Sequence, residues 1–386
     1  MSVTITPRRY PAKTFEVAAS SKVVSTACRA ASAPTRPAVL TFPRGEGAAC
    51  SLSVRHNTEA SSTMSYHLDP ELVDVMAALS AQAANSPRPA RGDWRALRIA
   101  GEAGQAYMAS LVPPSVGVTT TDFQAIGHDG TAIPVRWYTK TAAEGSPAVV
   151  YVHGGGMILG TLDLYDEVIS WYVAQTGVPF LSVGYRRAPD EGSGVTLAED
   201  VYAALVWLIE HADKLGVDPA RVAVMGDSGG GAPAAGAAIL ARDRGVALAR
   251  QILVYPMLDD RNQNADSAAN PHLTWTYDDN YTAWSAVLGA EFGAEDISPI
   301  VSPARLSDFS GLAPAYIDVG DLDIFRDEAI DYARRLAAAG VPIELHVHPG
   351  VPHGWERLAP QAESAKRAMS DRARAVSALF WVDGCE

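Results

Sequence analysis

From about residue 118 onward, short apolar runs alternate with longer stretches whose apolar residues fall three and four apart. The runs predict strands. Residues 118–126 and 131–138 flank Gly127-His128-Asp129-Gly130, a turn-rich tetrad, and read as a hairpin. Ala148–Val152, Phe180–Tyr185, Val222–Met225, Gln251–Tyr255, Ala315–Val319 and Ile343–Val347 read as buried strands. The stretches between predict helices. One carries Val201, Ala204, Leu205 and Leu208 on a single face. Another carries Ile330, Ala333, Leu336 and Ala337 and stops at Gly340. A final helix of about 20 residues closes the chain. Strand, helix, strand, helix is the rhythm of an α/β fold with a mostly parallel central sheet and helices on both faces.

Two segments stand outside that rhythm. Ahead of the first strand, Asp69 is placed to cap a helix with Pro70 at its first position and Val73, Met76, Ala77 and Leu79 on its apolar face. A second helix spans Asp93–Leu111 and ends before Pro113-Pro114. Between Met257 and about Arg305, Trp275, Tyr277, Tyr281 and Trp284 cluster among acids. Residues 64–115 and 257–305 are therefore expected to form a helical cap, over a catalytic domain of residues 116–256 and 306–386. Residues 1–63 are rich in Ser, Thr, Ala, Pro and Arg without periodicity. They read as a disordered extension or as sequence upstream of the true start, since Met64 opens the first patterned segment.

Composition narrows the classes. Hydrophobic residues make up 48% of the 386 and charged residues 19%, ordinary for a globular enzyme. No apolar run is long enough to span a membrane. The net charge of −13 argues against nucleic acid and anionic membrane surfaces as partners. Cys28, Cys50 and Cys385 form neither a disulfide framework nor a C-x-x-C metal site, so a reducing, cytoplasmic setting is expected, without metal or cofactor.

The chemistry gathers at strand ends. After Val222–Met225 comes Gly226-Asp227-Ser228-Gly229-Gly230, a G-x-S-x-G elbow followed by small residues that let a helix pack tightly on a sheet. After Ala148–Val152 comes His153-Gly154-Gly155-Gly156, whose bare N–H groups can point at a substrate oxygen. A serine nucleophile needs a base, and the base an acid to orient it. In this fold they follow in the order Ser, Asp/Glu, His. Asp321 and Asp323 both follow the penultimate strand, and spacing does not separate them. Among nine histidines, His56 and His67 precede the sheet, His128 lies in the hairpin, His211 ends a surface helix and His272 lies in the cap. His346 and His348 share one side of the last strand. His153 belongs to the glycine loop, which it is placed to brace. His353, in a Pro/Gly-punctuated loop, is the candidate base.

These motifs together resemble the bacterial hormone-sensitive-lipase-like esterases of the α/β-hydrolase superfamily. The resemblance covers Leu68 to the C-terminus and rests on His153–Gly156, Tyr185-Arg186-Arg187-Ala188-Pro189-Asp190, Gly226–Gly230, Asp323-Ile324-Phe325-Arg326-Asp327 and Pro352-His353-Gly354. It implies Asp323 as the acid, the N–H groups of Gly155, Gly156 and Gly229 as oxyanion donors, and short to medium acyl esters as substrates. His153, Gly154 and Asp227 would support the motifs. The chain departs from the pattern at Gly229, where the family usually has alanine, and after Asp190, where Glu-Gly-Ser-Gly replaces a proline-rich segment. A small-molecule ester is the expected partner. An amidase or lactonase with the same triad is the alternative. A non-catalytic binding relative, like the plant gibberellin receptors, would lack the histidine that is present here. Many relatives self-associate, but the sequence points to no interface.

Overall fold

The computed structural model describes residues 67–85, 88–110, 115–140, 144–263 and 271–381. The expected extension, residues 1–63, and all three cysteines lie outside them. The eight expected strands form one sheet: β1 (Thr119–Ile126), β2 (Ala132–Thr139), β3 (Ser146–Val152), β4 (Phe180–Val183), β5 (Val217–Asp227), β6 (Arg250–Val254), β7 (Ala315–Gly320) and β8 (Ile343–His348). Their order is β1-β2-β4-β3-β5-β6-β7-β8. The β1–β2 and β2–β4 pairs are antiparallel and the remainder parallel. Burial follows position in the sheet. Edge strand β1 buries only Ala125, whereas central β3 is buried throughout, as a strand covered on both faces must be.

The helices are α1 (Val73–Asn85), α2 (Trp94–Ser110), α3 (Leu162–Thr176), α4 (Thr196–Glu210), one-turn α5 (Ala212–Leu215), α6 (Gly231–Asp243), α7 (Tyr277–Leu288), α8 (Arg326–Ala338), one-turn α9 (Trp355–Leu358) and α10 (Glu363–Ser377). Two differ from expectation. The sequence reading leaves α3 unassigned, although its signals are present. Thr161 caps it by accepting from the Leu164 N–H at 3.3 Å, Gly177 ends it at φ 71°, and Tyr165, Ile169, Tyr172 and Val173 form its buried stripe. The single C-terminal helix is instead α9, a break containing Pro360, and α10 with a short tail at Ala378–Trp381. Proline supplies no N–H to continue the first segment.

Alternation along β5 separates the two helical layers. Met225 and Asp227 face α3 and α10, where they line a cavity of about 510 Å³ together with Trp171, Tyr172 and Met369. Gly226 faces the other way. A Cβ there would come within 2.8 Å of the Ala234 Cβ on α6. Residues Gly231–Ala241 of α6 are all buried. Only side chains this small let a helix lie so close to a sheet. The parallel strands β3, β5, β7 and β8 deliver their carboxyl ends to one edge, where open α/β sheets carry their sites.

Candidate active site

At the end of β5 the chain turns through Ser228 at φ 54° into the short turn Ser228–Gly230 and then α6. A serine in this left-handed region is strained. The neighbouring structure holds it there: the Ser228 carbonyl accepts from the Met257 N–H at 3.0 Å. The hydroxyl lies 2.8 Å from His353 Nε2, and His353 Nδ1 lies 2.6 Å from Asp323 Oδ2. A carboxylate only accepts, so Nδ1 carries the proton and Nε2 is free to accept from the serine. The Asp323 side chain is fully buried, and its other oxygen accepts from the Phe325 N–H at 3.0 Å. Asp321, the carboxylate that spacing left open, turns instead to the Gly350 N–H at 2.7 Å.

The imidazole is also held by packing. The ring of Tyr255 meets it edge-on at 4.6 Å and Phe325 at 5.2 Å. The His353 carbonyl accepts from the Thr274 hydroxyl at 2.7 Å. Sequence reasoning missed Tyr255 and Thr274. Tyr255 has φ 34°, and its strain has no signature in a residue type. Its hydroxyl donates to buried Glu356 at 2.5 Å. Burial raises the Glu356 pKa, but the Arg372 charge and the hydrogen bonds from Tyr255, the backbone and Arg372 together outweigh it and bring the carboxyl below its usual range. Another missed residue is Glu328, which accepts from the Leu258 N–H at 2.7 Å and the Asn262 amide at 2.9 Å. It ties the segment after β6 to α8, which begins three residues after Asp323. Burial pushes its pKa well up.

The glycine loop after β3 lies against the elbow. A Cβ on Gly154 would meet the Asp227 carbonyl at 2.9 Å and the Ser228 Cβ at 3.1 Å. Gly155 and Gly156 have φ of 114° and 57°, which only glycine adopts without strain. The backbone of Gly156 rests directly on Gly229, leaving no space for a Cβ at position 229. The departure from alanine thus coincides with a close approach of the two glycine segments. Gly154 thus packs on Ser228 and Gly156 on Gly229, the residue after Ser228, with Gly155 between the two loop glycines in the chain. His153 is buried behind them. Its Nδ1 is 2.9 Å from the Gly154 carbonyl, its ring stacks on Tyr185 at 4.5 Å, and the Tyr185 hydroxyl donates to its carbonyl at 2.9 Å. Burial holds its pKa down to about 4. Asp227 points away from the serine and accepts from the Tyr151 hydroxyl at 3.0 Å. Burial raises its pKa. Trp275 lies over the loop: a Cβ on Gly156 would come within 2.8 Å of its six-membered ring.

No helix among the described residues is long and apolar enough to cross a membrane. Among them, no group of three or more His, Cys, Asp or Glu could hold a metal ion. A family profile described as alpha/beta hydrolase fold matches residues 149–357, more than half the chain. The chain belongs to the α/β-hydrolase fold family. This α/β-hydrolase is 38% identical over 268 residues to carboxylesterase NlhH of Mycobacterium tuberculosis, covering 66% of this chain and 82% of that protein. It is 35% identical over 257 residues to an ethyl acetate hydrolase of Pseudomonas putida, covering 64% and 79%. Among solved structures, a bacterial heroin esterase superposes with a TM-score of 0.73 at 33% identity, over 81% of this chain and 98% of that one. An esterase from Pyrobaculum calidifontis gives 0.72 at 31%, over 81% and 99%. Within the superfamily the chain is a member of the hormone-sensitive-lipase-like esterases.

Proposed function

We propose that this α/β-hydrolase is a serine carboxylesterase acting on short- to medium-chain acyl esters. One observation carries the reading: Ser228, His353 and Asp323 are joined by hydrogen bonds of 2.8 and 2.6 Å, with Gly154 packed on Ser228 and Gly156 on Gly229. Ser228 Oγ attacks the ester carbonyl while His353 Nε2 takes its proton. Asp323 fixes the tautomer and stabilises the imidazolium. The N–H groups of Gly155, Gly156 and Gly229 receive the negative charge that develops on the carbonyl oxygen. Each such donor is worth about 3 kcal/mol where donors of this kind have been removed. His353 then protonates the departing alcohol, and water repeats the sequence on the acyl-enzyme. Residues 64–115 and 257–305 form the cap in this reading. Trp275 over Gly156 supports the preference for smaller esters. The sparse cysteines support a cytoplasmic setting.

Hydrolysis of p-nitrophenyl butyrate by wild type and Ser228→Ala tests this, with p-nitrophenyl palmitate alongside. Butyrate activity should fall by about 10⁴-fold or more in the variant, and palmitate should be a poor substrate. A Ser228→Ala protein as active as wild type would refute the assignment.

A further inference from the structure

A loop of glycines cannot hold its own shape. Gly155, Gly156 and Met157 all have positive φ, Met157 at 62°, and such a backbone persists only where its surroundings impose it. Part of the support is local. The Gly155 carbonyl accepts from the Ile158 and Leu159 N–H groups, both at 3.0 Å, and the Met157 carbonyl accepts from the Ala188 N–H at 2.9 Å. The carbonyls of Ile158 and Ala188 are the next link on either side. One side chain takes both. Arg98, on α2, donates from Nε to Ile158 O at 2.5 Å and from Nη2 to Ala188 O at 2.9 Å.

The guanidinium is itself fixed. Its Nη1 and Nη2 reach Asp190 Oδ2 and Oδ1 at 3.0 and 2.8 Å, a bidentate pair whose planar fork sets orientation as well as charge. The Arg98 side chain is only 13% exposed. One helical step on, Gly101 packs so closely that a Cβ would lie 2.5 Å from Leu159 Cδ2. Glu102 accepts from Arg187 Nη1 at 2.8 Å. One face of α2 therefore follows residues 158–160 where the glycine loop rejoins the chain.

We propose that Arg98 is a positioning residue for the oxyanion loop: from a helix outside the sheet it clamps Ile158 and Ala188, and through them the Gly155 and Gly156 N–H groups. This rests on the reading of those N–H groups as oxyanion donors. A clamp on the oxyanion site acts on the transition state more than on bound ester. Its loss therefore lowers kcat and leaves KM nearly unchanged.

The test compares wild type, Arg98→Met and Arg98→Lys in p-nitrophenyl butyrate hydrolysis and in inhibition by an alkyl trifluoromethyl ketone, whose serine adduct places an oxyanion on the same donors. Arg98→Met should lower kcat by about 10- to 100-fold with KM within about threefold. The ketone Ki should rise in step with the loss in kcat, and Arg98→Lys, which keeps the charge but not the planar fork, should fall between. An unchanged kcat, or a fall in kcat with Ki unchanged, overturns the proposal. If Arg98→Met does not melt cooperatively, Arg98→Lys decides by the same two quantities. The underlying esterase reading fails separately, through an active Ser228→Ala or an inactive folded wild type.

Discussion

His153 contributes to the site without facing the substrate. Its pKa of about 4 in the fold compares with about 6.5 for a free histidine. Between those values the unfolded chain binds more protons than the folded one, so stability rises with pH across that window. The contribution is complete above about pH 6.5 and is lost as pH falls toward 4. Its ceiling is on the order of 3 kcal/mol. Urea denaturation at pH 5 and pH 7.5 should show wild type less stable at the lower pH, and His153→Gln should narrow that gap. An equal gap in both proteins would mean that His153 is not the titrating group. Residues of this kind divide by legibility. Ser228 and His353 stand in punctuated motifs that a sequence displays. Asp323 was separated from Asp321 only by resemblance, and in the structure by burial and a 2.6 Å bond. Tyr255, Thr274 and Arg98 act through neighbours 60 to 101 positions away, and nothing in their local sequence marks them.

At the scale of elements, α10 has a feature its periodicity alone misreads. Ala365, Ala368, Ala375 and Val376 form its buried stripe, and Arg372 falls on the same stripe. Its side chain is buried, paired with Asp318 on β7 at 2.6 Å and with Glu356 at 3.0 Å, and its guanidinium lies near the faces of Tyr255 and Trp355. The arginine thus joins α10 to the sheet directly behind the Tyr255 ring that supports His353. Arg372→Met would strand the Asp318 carboxylate in the interior. Equilibrium denaturation should register a loss of about 3–5 kcal/mol, with part of it recovered by adding Asp318→Asn. A loss below about 1 kcal/mol would place that pair among the weak surface bridges.

Across the whole molecule, four strand ends and one inserted segment meet at a single edge of the sheet. The glycine loop follows β3, Ser228 follows β5, Asp323 follows β7 and His353 follows β8. The segment between β6 and β7 adds Thr274 on His353 and Trp275 over Gly156. It also meets the turn that leads into α2: the Gly92 N–H donates to Thr282 Oγ1 at 2.8 Å, and Arg91 lies over the Tyr281 ring at 3.8 Å. Under the proposed function, these elements outside the sheet set the space beside the reacting carbonyl. Trp275→Ala should raise kcat/KM for p-nitrophenyl octanoate relative to acetate by about 10-fold, read from a chain-length series. An unchanged ratio would show that the indole does not limit the acyl group.

The sequence alone determined the α/β class, all eight strands, the elbow and the glycine loop, and it singled out His353 as the candidate base. Each is written in short-range physics: apolar period, glycine where a backbone must pass closely, punctuation at strand ends. Spacing left Asp321 and Asp323 level and only the family resemblance preferred Asp323; the tertiary contact brings Asp323 to His353. Tertiary structure alone decided that a buried arginine belongs on an apolar stripe and that α2 buttresses the glycine loop. Those facts depend on contacts between segments far apart in the chain. Their energies come from burial and pairing after folding, and no local pattern records them.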